Sequence, residues 1–190
     1  MKNTWLTSAA IAVFAVTMHS ATAQMGGADM KDPMVGGAEM YPTKTIVENA
    51  VNSPIHTTLV AAVKAAGLVD TLNSPGPFTV FAPTNDAFAK LPAGTVDTLV
   101  KPENKDTLTK ILTYHVVSGR ITAKDIAAGI KAGGGKYEMK TVEGGTLTAT
   151  MKGRKIMLTY EKGGMATITT ENVYQSNGII DVIDTVLMPS

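Results

Sequence analysis

Near its middle the chain reads Phe78-Thr-Val-Phe-Ala-Pro-Thr-Asn-Asp-Ala-Phe88. The first five residues are aromatic, β-branched or small, which predicts a short buried strand that Pro83 ends. Thr84 is then expected to be a helix N-cap, because its hydroxyl can accept a hydrogen bond from the first turn. Asp86 lies in that turn, where the helix dipole favours a carboxylate. The segment therefore predicts a strand that turns directly into a helix.

A second segment, Asn177-Gly-Ile-Ile-Asp-Val-Ile-Asp-Thr-Val-Leu-Met-Pro189, predicts a long last strand over residues 178–188. Alternation along that strand places Asp184 on the same apolar face as Ile180, where a carboxylate needs hydrogen-bonding partners. We therefore expect Asp184 to be buried and paired, and Asp181 to face solvent. On this view Asp184→Ala destabilises the fold by about 1 to 3 kcal/mol, and Asp181→Ala does much less. A catalytic Asp184 is the rival interpretation, but no second functional group stands at a suitable spacing.

The rest of the chain predicts an α+β fold. Thr45-Ile-Val-Glu48 is a capping box that begins a helix, and further helical spacing continues to about residue 132. From Lys136 the hydrophobic period changes to two, and glycines at 144–145, 153 and 163–164 separate the alternating runs. Helices first and an antiparallel meander afterwards are typical of an α+β protein.

The N-terminus predicts export. Lys2, an apolar run over residues 6–18 and the small-x-small triplet Ala21-Thr-Ala23 indicate a signal peptide over residues 1–23. The run is too short to span a bilayer, so no membrane span is expected after cleavage. Residues 24–42 predict a flexible arm rich in glycine and methionine, and residues 43–190 a single folded domain. Cu(I) binding is an alternative for the four methionines of the arm: Met25, Met30, Met34 and Met40.

Composition argues against several classes of function. The chain has no cysteine, a net charge of +1 and only 5% aromatic residues. It therefore lacks a disulfide framework and the basic, aromatic-rich pattern of a nucleic-acid binder. His56 and His115 are not spaced as zinc ligands, and neither has a recognisable nucleophile. We expect no metal site and no cofactor, and we expect His115 to be a hydrogen-bonded core residue.

Together with Tyr114-His-Val-Val117, the two segments closely resemble the signature blocks of the fasciclin domain, in the order and approximate spacing of that family. The resemblance implies a wedge-shaped antiparallel β-sandwich with several helices, most of them in the N-terminal half. It assigns structural or interaction roles to a set of motif residues. These are Phe78, Thr84, Asn85, Tyr114, His115, Asn177, Gly178, Asp181 and Asp184.

The chain departs from the family pattern at two places. The last block of the family usually carries histidine where this chain has Asp181, so contacts of that histidine are not carried over. Animal relatives place an integrin-linked Asp-Ile pair just before the last block, where this chain has Asn172-Val173. An integrin-type mechanism is therefore not expected.

The resemblance implies a cell-adhesion or protein-interaction module, periplasmic or secreted, that is not an enzyme. Its expected partner is a protein or a cell surface, with self-association among the options. Two alternatives stay open: a small-ligand or lipid carrier with a groove between helices and sheet, and an enzyme of unknown type. A closed apolar pocket would favour the carrier, whereas a filled core with flat exposed faces would favour adhesion.

Overall fold

The computed structural model describes residues 33–190. The expected signal peptide and residues 24–32 of the expected arm lie outside this range. Three of the helices begin at a threonine whose hydroxyl caps the first turn, with capping boxes at Thr45 and Thr122 and an N-cap at Thr84. The helices are α1 (Ile46–Asn52), α2 (Thr57–Ala66), α3 (Val69–Asn73), α4 (Asn85–Ala89), α5 (Thr95–Leu99), α6 (Lys105–Tyr114) and α7 (Ala123–Ala132), with a 3₁₀-helix over Pro102–Asn104.

The strands of residues 33–190 form two sheets. The strands are β1 (Met34–Val35), β2 (Ala38–Glu39), β3 (Phe78–Pro83), β4 (Val116–Ser118), β5 (Lys136–Lys140), β6 (Thr146–Lys152), β7 (Lys155–Thr159), β8 (Met165–Gln175) and β9 (Gly178–Ile183). The first two form a hairpin, and the other seven form one sheet in the order β4-β3-β9-β8-β7-β6-β5. All neighbours in the large sheet are antiparallel except β3 and β9, which run parallel. The structure thus confirms the α+β class and the antiparallel meander.

The large sheet curls until its two end strands meet. Val117 of β4 bridges to Thr141, just beyond β5, and the Val142 amide donates to the Val116 carbonyl at 2.7 Å. Curling gives the sheet an inside and an outside, and each carries its own hydrophobic core. The inner core includes Phe81 and is covered by α7, while α1, α2 and α6 pack on the outer side of β3 and β9.

Strand β9 is central, and all six of its residues are buried. It lies between β3 and β8, with the inner core on one face and the helical layer on the other. The strand ends at Ile183, so the expected strand over residues 178–188 is wrong in its second half. Burial on both faces of β9 explains why the last segment is continuously apolar, a pattern that predicted a longer strand.

The last part of the expected flexible arm is folded. Residues 33–42 contain the β1–β2 hairpin, whose turn uses positive φ angles at Gly36 (62°) and Gly37 (87°). Val35 and Met40 are 3% and 2% exposed and belong to the outer core. The expectation of a flexible arm is therefore wrong for these ten residues, because a glycine pair between apolar residues makes a hairpin.

Candidate functional site

The motif residue His115 ties the last segment of the chain to α6. Its ring is 2% exposed, with Nδ1 2.8 Å from the Ile111 carbonyl and Nε2 accepting a hydrogen bond from the Leu187 amide at 2.9 Å. Because Nδ1 donates and Nε2 accepts, the ring is neutral. Burial lowers the pKa of His115 to about 4, although the hydrogen bond to the Ile111 carbonyl acts to raise it. The prediction of a hydrogen-bonded core histidine is confirmed.

Asn177 and Gly178 hold three separate segments together at the start of β9. The Asn177 side chain accepts from the Ile46 amide at 3.0 Å and donates to the carbonyls of Leu72 and Ser74 at 2.7 and 3.0 Å. At Gly178 a side chain would have no room, because a Cβ would lie 2.1 Å from the carbonyl oxygen of Phe78. These two residues are therefore parts of the frame.

Thr84 and Asn85 perform a similar task after β3. The Thr84 hydroxyl accepts from the Ala87 amide at 3.2 Å, which confirms the predicted N-cap. The Asn85 side chain accepts from the Thr58 amide at 3.1 Å and donates to the Pro54 carbonyl at 3.0 Å. Asn85 thereby fixes the loop that leads into α2.

Tyr114 connects α6 to the meander. Its side chain is fully buried, and its hydroxyl donates to the Thr146 carbonyl at 2.8 Å and accepts from the Glu161 amide at 3.1 Å. Burial raises the pKa of the phenol, so the hydroxyl stays protonated and able to donate. One side chain therefore satisfies backbone groups of two different meander turns.

Tyr114→Phe should lower the free energy of unfolding by about 1 to 3 kcal/mol, because it leaves both backbone groups without their partner. Chemical denaturation gives this value directly. Tyr174→Phe is the matched control, since the Tyr174 ring is 39% exposed, and its effect should stay within about 0.5 kcal/mol. Equal effects of the two substitutions would contradict a structural role for the Tyr114 hydroxyl.

Asp181 is the buried carboxylate, contrary to expectation. It is fully buried and pairs in register with Phe81, on the face that holds the inner core. Its Oδ1 accepts from the Asn172 amide at 2.8 Å, whereas Oδ2 has no hydrogen-bond partner. Burial raises its pKa to about 7, opposed by the Asn172 hydrogen bond and assisted by the charge of Glu171. The expectation that Asp181 faces solvent is wrong because β9 has no solvent-facing side.

Asn172 shows what the Asp181 carboxylate supports. Strand β8 changes register between Thr170 and Val173, and Asn172 within this irregular stretch has a left-handed φ of 58°. Its amide donates to Asp181, and its side-chain oxygen accepts from the Ala123 amide at the start of α7. Asp181 therefore holds a β-bulge that in turn caps a helix.

Asp184 lies just beyond β9 and is partly exposed, so its expected burial in the apolar core is wrong. Its carboxylate does have partners: the Thr167 amide at 2.8 Å, the Thr185 hydroxyl at 3.0 Å and the Lys90 ammonium at 3.9 Å. Burial opposes ionisation, but the hydrogen bonds and the Lys90 charge outweigh it and hold the pKa of Asp184 below its usual value. The strand ends before this residue, so alternation no longer determines its face.

An apolar cavity lies between the helical layer and the sheet. Its volume is about 40 Å³, and its walls include Ile46, Leu59, Val80 and the rings of both His56 and His115. His56 is 3% exposed, with Nδ1 2.8 Å from the Ser53 hydroxyl and Nε2 without a hydrogen bond of normal geometry. Burial lowers its pKa to about 4, although the Ala82 carbonyl favours protonation. The cavity is thus a small space in the core, with two neutral histidine rings and the Lys64 side chain among mostly apolar walls.

The outer face of the meander has no helix of residues 33–190 packed on it, and its side chains are half-buried or exposed. Its side chains alternate with the buried residues of the inner core, and cross-strand pairing aligns them in rows such as Glu138, Thr148, Thr159 and Met165. We call this surface the outer sheet face. It consists of Lys136, Glu138, Lys140, Thr146, Thr148, Thr150, Lys152, Lys155, Met157, Thr159, Met165 and Thr167.

The alternation along these strands is visible in the sequence, but no motif marks the outer sheet face as functional. The sequence signal for this face is the threonine at every second position of β6, because a solvent-facing strand position accepts almost any polar residue.

Within residues 33–190 there is no group of three or more metal-binding side chains, and no helix long and apolar enough to cross a membrane.

Comparison with known proteins places this geometry in a family. The family model of the fasciclin domain matches residues 54–189. Protein sll1483 of Synechocystis sp. is 50% identical over 159 residues, which are 84% of this chain and 81% of that protein. Immunogenic protein MPT70 of Mycobacterium tuberculosis is 41% identical over 145 residues, 74% of this chain and 66% of that protein.

A cell surface protein and a solved structure extend the comparison. Cell surface glycolipoprotein MPB83 of Mycobacterium bovis is 38% identical over 160 residues, 82% of this chain and 64% of that protein. The FAS1 domain pair of the insect cell adhesion molecule Fasciclin I matches with a TM-score of 0.68 and 20% identity. The match covers 76% of this chain and 51% of that chain, and at this identity it shows a shared fold.

Proposed function

Because the chain belongs to the fasciclin domain family, we propose that it is an adhesion or protein-interaction module that works by surface contact. The observation that carries this proposal is the use of the motif residues. Four of these side chains form hydrogen bonds with backbone groups of the domain itself: Tyr114, His115, Asn177 and Asp181. The motif residues thus build a rigid frame, while the outer sheet face is left free to make contacts.

We further propose that the protein acts outside the cytoplasm, in the periplasm or secreted, after removal of residues 1–23. The signal-like N-terminus supports this location, and one relative is named a cell surface glycolipoprotein. The partner is then a protein or another component of a cell surface, a second copy of the chain included.

The carrier alternative receives less support. Pockets that hold drug-sized ligands have volumes of roughly 300–1,000 Å³. The apolar cavity measures about 40 Å³, so a lipid would need the helical layer to move away from the sheet. A filled core with an exposed sheet face is the arrangement expected for adhesion, and family membership supports a role without substrate turnover.

Deletion of the gene should impair attachment or aggregation of the producing cells, and purified protein added from outside should restore it. The expected affinity of a single domain is micromolar, on the order of −8 kcal/mol, with clustering supplying avidity. Normal attachment of the deletion strain, combined with a small molecule bound to the purified protein, would overturn the proposal in favour of the carrier.

A further inference from the structure

The outer sheet face carries an excess of positive charge. Four of its side chains are lysines (Lys136, Lys140, Lys152 and Lys155), and one is acidic (Glu138). The ion pairs of the described residues lie elsewhere, between Lys90 and Asp184 and between Lys110 and Glu143. The ammonium groups of the face are therefore available to an anionic partner.

The positions of two of these lysines are unfavourable for stability. Lys152 and Lys155 are direct cross-strand partners, and only Gly153 and Arg154 separate them at the β6–β7 turn. Like charges directly opposite each other in a sheet are destabilising. Three cations within four residues at the tip of a hairpin are therefore a local conflict of the kind that functional sites retain.

Hydroxyl groups fill the space between the charges. Within the described residues, the hydroxyls of Thr146, Thr148, Thr150 and Thr159 donate no hydrogen bond to the protein. Residues on one side of a strand repeat about every 6.6 Å, and neighbouring strands lie about 4.8 Å apart. The face thus presents a regular array of free hydroxyls, each able to donate one hydrogen bond and accept others.

The same face is poorly suited to other anionic polymers. It has no aromatic side chain on which nucleic-acid bases would stack. Its two large apolar side chains are Met157 and Met165, whereas surfaces that enter a lipid interface combine Lys and Arg with several aromatic or leucine side chains. A partner that matches both the charge and the hydroxyls must itself carry carboxylates and many hydroxyl groups along an extended chain.

Resting on the proposed function, we propose that the outer sheet face binds an acidic polysaccharide, a polymer of sugar acids. Its carboxylates pair with the lysines at the two ends of the face, and its hydroxyls exchange hydrogen bonds with the threonine rows. The charges are exposed, so binding is weak per site and decreases as salt is added. Affinity then grows with the number of sugar units that span the sheet.

The test uses the full chain with alginate, a polymer of uronic acids, as the probe and neutral dextran as its uncharged counterpart. The variant Lys152→Glu/Lys155→Glu should weaken alginate binding on the order of tenfold at low salt. It keeps a like-charged pair across the hairpin, so its stability should resemble that of the wild type. Lys101→Glu/Lys124→Glu changes one lysine just before the 3₁₀-helix and one exposed lysine of α7, both outside the outer sheet face. It carries the same change in net charge and should bind normally.

A second variant separates hydroxyl contacts from net charge. Thr148→Val/Thr150→Val keeps the branched shape and removes two hydroxyls, and alginate binding should fall severalfold with no change in salt dependence. Equal weakening by the two lysine variants would overturn the proposal, as would equal binding of dextran or exclusive binding to anionic vesicles. Wild-type cell attachment by a Lys152→Glu/Lys155→Glu protein that no longer binds alginate would overturn this inference and leave the adhesion proposal intact. Normal attachment of the deletion strain would instead remove the adhesion proposal.

Discussion

Gly178→Ala is expected to prevent stable folding, with a loss of more than about 4 kcal/mol in the free energy of unfolding. A Cβ at this position would lie 2.1 Å from the Phe78 carbonyl oxygen and 3.0 Å from the Cδ1 of Ile46. The first contact is with backbone, which cannot rotate away, and it lies where β3 and β9 pair in parallel. The two central strands would have to separate, so soluble yield and the circular dichroism of purified protein should both report an unfolded chain.

Gly153→Ala is the matched control for this substitution. Gly153 sits in the β6–β7 turn with a φ of 64°, and nothing lies within 4 Å of an added Cβ. Its left-handed backbone should cost about 1 to 2 kcal/mol on replacement, with the fold retained. A Gly178→Ala protein as stable as Gly153→Ala would contradict the close strand approach at Phe78.

Asp181→Asn is expected to stabilise the protein above pH 7, by about 2 to 4 kcal/mol. Burial raises the pKa of Asp181 to about 7, from 3.8 in the unfolded chain. The folded protein therefore binds more protons than the unfolded chain between these values. The contribution of Asp181 to stability is full below about pH 4 and is lost as the pH rises through 7. Asparagine cannot ionise, yet its oxygen can still accept from the Asn172 amide.

Denaturant unfolding of both proteins from pH 4 to pH 8 measures this effect. His56 and His115 act in the opposite direction, because their folded pKa of about 4 makes stability fall as the pH drops through 6.5. Both histidines are present in both proteins, so the difference between the two curves isolates Asp181. The difference should be small at pH 4, grow up to about pH 7 and then level off. A constant difference across this range would show that Asp181 is not protonated in the fold.

Local signals in the sequence predicted most of the frame. The capping box at Thr45, the N-cap at Thr84 and the glycine turns of the meander depend on neighbours within four residues, and the structure confirms them. Gly67 likewise ends α2 in a left-handed conformation, the usual arrangement of a glycine after the last helical residue. Such features are predictable because the interacting groups are adjacent in the chain.

Features that depend on distant parts of the chain were not predictable in the same way. The parallel pairing of β3 with β9 buries both faces of the last strand, which moves Asp181 inside and leaves Asp184 at the strand end. A prediction from alternation assumes that one face of the strand is exposed to solvent. For this strand the assumption is wrong, and Asp184 was therefore predicted to be buried in place of Asp181. The hairpin over residues 34–39 was missed for a related reason, because Val35 and Met40 gain their burial from helices that follow them in the chain.

Contact with a cell surface is the central claim, and a binding isotherm tests it most directly. Labelled protein that lacks residues 1–23 is added to washed cells of the deletion strain, and bound protein is measured as a function of concentration. Saturable binding with a Kd in the micromolar range is the predicted result, retained by Lys101→Glu/Lys124→Glu. The contradicting result is bound protein that increases linearly with concentration, without saturation, and to the same extent for the unfolded Gly178→Ala protein. Such a result would exclude the claim that this domain works by surface contact.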